Sequence, residues 1–192
     1  FKMGLLGEVF DEIGSLYPSD SEQTILQSWE EFSNDVNFTF PMRLWARAMS
    51  NVSSDVYLYW FNYYPPVLDR QYKAFHGGDL PYVFGQLDMF GGNPVGADFV
   101  DADTVMSLWT RFASTGNPNG EDIIDWQAFT PSNESYYILG SENAPARQLR
   151  VERMDLIKKA WDIRRVQGTP SLPTVMPTGV KDLMRKCKGA NP

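Results

Sequence analysis

The run from Val56 to Tyr63, VYLYWFNY, constrains this chain more than any other stretch. It is mostly β-branched or aromatic and too short for a helix, the pattern of a strand buried on both faces. Pro65-Pro66 stops it, because proline cannot donate to a ladder. One strand cannot bury two faces by itself. The other strand-like run, Tyr136-Tyr137-Ile138-Leu139, is short. The pattern therefore predicts the end of a larger sheet protein whose remaining strands lie elsewhere. A chain of 192 residues that opens on Phe1 agrees with a processed, trimmed or partial product.

Most of the rest has helical spacing. Met3, Leu5, Leu6, Val9, Phe10, Ile13 and Leu16 form one such set, ended by Tyr17-Pro18. Ser19-Asp20-Ser21 reads as an N-cap for a second helix to about Asn34, with Ile25, Leu26, Trp29 and Phe32 on one face. Pro41 suits the first turn of a third helix. That helix is expected to turn Leu44, Trp45, Ala48 and Met49 inward and Arg43 and Arg47 outward. Asp101 to Ser114 is helical again, with Val105, Leu108, Trp109 and Phe112 aligned. Thr115 to Gly120 is dense turn chemistry. Trp126 and Phe129 are expected to pin the following connection. A last helix is predicted from Arg147 to Arg165, burying Leu149, Met154, Ile157 and Trp161. Residues 168–192 are Pro/Thr-rich and then basic, a flexible tail on composition.

After Pro66 a long loop leads to His76, the one histidine of the chain. Gly77-Gly78 follow it, then Asp79 and the apolar run Leu80-Pro81-Tyr82-Val83-Phe84. Two readings are open. A histidine held between a buried strand and glycines suits a general base presented by a loop. A histidine that satisfies only local hydrogen bonds is the commoner case on spacing alone. Asp79 likewise reads as a carboxylate at a helix N-terminus.

The net charge of −7 argues against general nucleic-acid binding. The acidic excess lies outside residues 181–192, where Lys181, Arg185, Lys186 and Lys188 oppose Asp182. No apolar run approaches the roughly 18 residues of a membrane span. One histidine and one distant cysteine, Cys187, supply neither a zinc site nor an internal disulfide. No phosphate loop or dinucleotide fingerprint is present, so no cofactor is expected. The sequons at Asn37, Asn51 and Asn133 lean weakly towards export, with a cytoplasmic protein still open.

Four segments, in order, resemble the C-terminal part of the type-B carboxylesterases, the cholinesterase and para-nitrobenzyl esterase family. Val56–Phe61 resembles the strand before the histidine loop. Phe75-His76-Gly77-Gly78-Asp79-Leu80-Pro81-Tyr82-Val83-Phe84-Gly85 resembles that loop. Leu108–Asn119 with Trp126 resembles a helix and turn, and the helix after Arg147 the family's final helix. The resemblance implies that residues 1–167 are the C-terminal portion of an α/β-hydrolase fold, a mostly parallel sheet flanked by helices.

It also implies carboxylic ester hydrolysis through a serine, histidine and glutamate or aspartate triad and an acyl-enzyme. His76 falls on the catalytic histidine. Asp79 falls on a supporting acid close to the triad. Phe75 and Tyr72 are candidate walls of an apolar substrate pocket, although aromatics here are more often core. Many secreted animal members carry a disulfide where Phe40 and Met154 stand.

The chain holds no G-x-S-x-G elbow and no glycine-rich oxyanion segment. The triad acid is expected before Phe1, with Asp11, Glu12, Glu30, Glu31 and Asp35 on solvated helix faces. The expected partners are an N-terminal portion of the same esterase, carrying serine, acid and oxyanion hole, and a small-molecule ester. The isolated chain is expected to be inactive. The alternative is a catalytically inactive, cholinesterase-like binding or adhesion module.

Overall fold

Proline breaks, caps and one aromatic strand set the elements of the computed structural model, which describes residues 9–52, 55–66, 70, 72–120 and 125–167. Residues 168–192, with the expected flexible tail and Cys187, lie outside the described residues. Two units divide the chain. Residues 43–149 form one, and residues 1–42 with 150–192 form the other.

The unit of residues 43–149 holds a three-stranded sheet. Its strands are β1 (Tyr59–Asn62), β2 (Ser135–Gly140) and β3 (Ala144–Arg147), in the order β1-β2-β3. β1 and β2 run parallel, with Tyr59 opposite Tyr137 and Asn62 opposite Gly140. β2 and β3 are antiparallel. The expected strand is thus shorter, and it is not buried on both faces. Tyr59 and Asn62 are exposed and Trp60 and Phe61 half-buried. β1 is an edge of this sheet, with a ladder partner on one side among the described residues.

Alternation along the strand nevertheless decides the packing, because alternate side chains share a face. Tyr57 meets Phe112 and Trp126, and Tyr59 meets Trp109. Phe61 and Tyr63 meet Tyr82. Trp109 and Phe112 lie one turn apart on α5 (Gly96–Thr115), and Tyr82 on the four-residue α4 (Leu80–Val83). Tyr82, Val105, Leu108, Trp126 and Leu139 make the buried centre of the same cluster.

The turn after α5 closes it from below. Gly116, in the left-handed region at φ 76°, caps the helix. The Asn119 side chain then donates to the Trp126 carbonyl (2.9 Å) and accepts from the Trp126 N–H (2.8 Å). Trp126 and Phe129 are buried, as expected of residues pinning this connection. α5 starts at Gly96, earlier than the pattern suggested, because Asp98 accepts the Val95 N–H at 2.8 Å.

Helix α3 (Phe40–Met49) departs most from expectation. Leu44, Trp45 and Met49 are exposed, Trp45 at 60%. Ala46 is buried, and Arg43 and Arg47 both pair with Glu134. The apolar stripe was read correctly, but its direction was not. A buried Glu134, held at φ 45°, draws the two guanidinium groups inward. β3 ends on Arg147, the residue where the last helix was expected to start. Gln148 and Arg150 have positive φ, so helix α6 begins only at Val151 and runs to Val166.

In the other unit, α1 (Phe10–Gly14) and α6 share Val9, Ile13, Tyr17 and Ala160 as a buried cluster. Ser21 caps α2 (Glu22–Asn34) as expected, accepting the Thr24 N–H while Thr24 Oγ1 accepts the Ser21 N–H. No break follows at Asn34. A π-helical turn, Asp35–Thr39, leads into α3. Phe40 and Met154 share a second buried cluster with Ile157. Asp35 is not on a solvated face. It is completely buried and accepts from Tyr17 Oη and Arg150 Nη1, each at 2.8 Å. Arg153 adds a contact to Asp35 at 3.5 Å, pairs with Glu31 at 2.6 Å and lies over the Tyr17 ring.

Candidate active site

The histidine segment is shaped by what glycine permits. Gly77 has φ 81°, a left-handed conformation that costs a side-chain-bearing residue about 1 kcal/mol or more. At Gly78 a Cβ would stand 2.9 Å from the Phe75 carbonyl oxygen and 3.1 Å from Pro65 Cγ. The Gly78 N–H donates to that Phe75 carbonyl at 2.8 Å, and the Leu80 N–H to the Gly77 carbonyl at 3.1 Å. The backbone thus turns tightly around His76, whose side chain is exposed.

Both sides of the turn are tied to aromatic structure. Before it, half-buried Phe75 packs against exposed Tyr72 (6.3 Å) and against Phe90 (5.5 Å). After it, α4 is anchored by fully buried Tyr82, stacked 5.2 Å from Tyr63. Burial pushes the Tyr63 phenol up to about 12, with Asp101 adding to the rise. Tyr82 is raised further, by burial first and then by Asp98. These phenols stay neutral donors across the physiological range.

Asp79 stands at the N-terminus of α4, as the simpler reading had it. It caps nothing with its side chain. Its backbone carbonyl accepts the Tyr82 and Val83 N–H groups, while its carboxylate accepts Tyr59 Oη at 2.8 Å. Burial, and then this hydrogen bond, push the Tyr59 phenol well above its ordinary range.

A second ionic contact flanks the loop. Arg70 Nη2 reaches Asp98 Oδ1 at 2.9 Å and Oδ2 at 2.7 Å, and Arg70 Nη1 donates to the Tyr64 carbonyl. Burial alone would raise the Asp98 carboxyl. Arg70 and the Val95 N–H overcome that and hold it below the usual carboxylate range. Neither Tyr59 nor Arg70 had been singled out from sequence. Tyr59 lies 20 positions before Asp79, a separation that no local pattern links.

The structure therefore brings Phe75, Tyr72, His76 and Asp79 onto one continuous loop and ties it to β1. The concavity beside β3, lined by Gln127, Ser135 and Arg147 among others, includes none of these residues.

The carboxylesterase family model matches residues 5–157. A human cocaine esterase is 33% identical over 147 residues, covering 72% of this chain and 25% of the relative. A para-nitrobenzyl esterase of Bacillus subtilis is 33% identical over 144 residues, covering 72% and 28%. Among solved structures, a PNB esterase superposes with TM-score 0.65 at 29% identity, over 81% of this chain and 31% of that one. The chain spans about a quarter of the length of the curated relatives it matches. The architecture is accordingly part of an α/β-hydrolase fold, its small mixed sheet a portion of a larger one. No described helix is long and apolar enough to cross a membrane. With a family match running from before α1 into α6, this chain belongs to the carboxylesterase family.

Proposed function

We propose that this segment supplies the histidine general base of a serine carboxylesterase. The observation that carries the proposal is the exposed imidazole of His76, on a glycine-shaped turn, in a chain of this family. In the proposed reaction His76 takes the proton of a serine hydroxyl as its oxygen attacks the ester carbonyl. It returns that proton to the departing alkoxide. It then takes a proton from water to free the acid and regenerate the serine. The serine, the triad acid and the oxyanion hole belong to sequence beyond residues 1–192. Asp79 supports the histidine turn, and Phe75 and Tyr72 contribute apolar surface beside it. Small-molecule esters are the substrate class.

Export is part of the same reading. All three sequon asparagines donate from their side-chain amides, Asn37 to the Ser33 carbonyl, Asn51 to the Arg47 carbonyl and Asn133 to Gln127, and Asn51 is exposed just past α3. A mass loss on endoglycosidase treatment, mapped to Asn51, supports export.

Hydrolysis of p-nitrophenyl butyrate by the longer polypeptide or complex tests the catalytic proposal. The expected result is a burst of p-nitrophenol equal to the enzyme present, abolished by His76→Ala. An intact, folded protein that releases no p-nitrophenol above the uncatalysed rate would favour the binding-module reading instead.

A further inference from the structure

The weakest part of the proposed machinery is the turn itself. Two consecutive glycines follow His76, and glycine has more backbone freedom to lose than any other residue. The Gly78 N–H to Phe75 carbonyl and Leu80 N–H to Gly77 carbonyl hydrogen bonds hold the turn's backbone, and residues on either side can add to that restraint.

We propose that Tyr59 is a positioning residue for His76, acting through Asp79 as a tether between strand β1 and the histidine turn. The inference rests on the general-base reading given above. Three observations support it. Asp79 has φ −75° and ψ −27°, helical rather than the extended conformation of a capping residue, and its side chain forgoes the α4 N–H groups. That carboxylate is turned instead onto Tyr59 Oη at 2.8 Å.

The donor is itself immobilised. The Tyr59 ring sits edge-on to Trp109 at 5.0 Å, and its backbone is in the β1 ladder with β2. A phenol on two stiff torsions, packed on α5, is a rigid post. Finally, burial and the adjacent carboxylate keep Tyr59 protonated, so the post remains a donor at every pH where an esterase is assayed.

The tether has a separable signature. His76 acts in both acylation and deacylation, so loosening it slows both. The ground-state contacts of the ester are untouched, so KM stays where it was. Tyr59→Phe keeps the ring and its packing and removes only the hydroxyl.

In the longer polypeptide, Tyr59→Phe is expected to lower kcat per titrated active site about tenfold, the scale of one hydrogen bond expressed in a rate. Burst and steady-state phases should slow together, with KM unchanged. Asp79→Ala, which removes the acceptor, should behave similarly, and the double variant should be no slower than the slower single one. Hydrogen exchange of the backbone amides of residues 77–80 should quicken in Tyr59→Phe. A merely structural role for the hydroxyl would reduce the burst amplitude and leave the rate per site unchanged, which would overturn the proposal. Unchanged exchange in the turn would also overturn it, whatever the activity. If the unsubstituted protein hydrolyses no ester, the general-base reading fails, and hydrogen exchange alone then decides whether the tether exists.

Discussion

Asp35 and Asp79 are both helix-associated carboxylates that accept a tyrosine hydroxyl at 2.8 Å, and their surroundings are opposite. Asp35 is completely buried and over-determined, with Tyr17, Arg150 and Arg153 around it inside a π-helical turn. Asp79 is half-buried and takes its tyrosine beside an exposed histidine. A carboxylate that is surrounded by cations fixes a fold, because removing it strands their charge. A carboxylate held by one neutral donor costs little to disturb and transmits that disturbance to its own loop. The contrast teaches that partner number and charge, rather than residue type or helix position, separate a carboxylate locked into the scaffold from one whose contact can be altered locally.

The largest effect expected from the contrast is on stability. Asp35→Ala should cost about 3–5 kcal/mol, the scale for breaking one side of a buried pair. Urea unfolding measures it, and kcat per active site in the surviving folded fraction should be unchanged. A large loss of per-site rate would erase the distinction between the two carboxylates. Asp79→Ala is expected to do the reverse, with a rate loss of about tenfold and a stability loss of about 1 kcal/mol, as for one hydrogen bond.

The smallest effect sharpens the rule by testing a carboxylate from the same unit as His76. Asp98 is buried and bound by Arg70, so its loss should act on stability rather than on rate, as for Asp35, but less strongly because the Arg70 side chain is 37% exposed. Its folded pKa is depressed. It therefore contributes stability that is present above its unfolded pKa of about 4 and is lost as the pH falls through the folded value. Asp98→Asn should flatten the acid limb of the stability profile while leaving the activity profile near neutral pH in place. Parallel acid limbs in the two proteins would show that Asp98 is not a linked group.

Local rules carried much of this molecule into view. Ser21 as a cap, Gly116 and Asn119 as turn residues, Trp126 as a pin and the His76 turn all follow from chemistry within a few positions. Direction and partnership were not local. The stripe of Leu44, Trp45 and Met49 was legible, but a sequence pattern says which residues share a face and not what that face meets. Glu134, some 90 positions away, decides it by drawing in Arg43 and Arg47. Asp35 was misread for the same reason, since its arginines, Arg150 and Arg153, lie just before and within the first turn of the last helix. The pattern put Arg147 in that helix, and it instead ends a strand that is followed by left-handed Gln148 and Arg150. Tyr59 was visible as a strand residue, while its hydroxyl's partner emerged only from the fold.

The central claim is that the exposed His76 turn does the chemistry. Stopped-flow hydrolysis of p-nitrophenyl butyrate by the longer polypeptide, with and without His76→Ala, tests it most directly. The account predicts a stoichiometric burst in the parent and a fall in acylation rate of about 10⁴-fold or more in the variant, the scale for losing a triad base, with unchanged thermal unfolding. A variant that still acylates at the parental rate would contradict it.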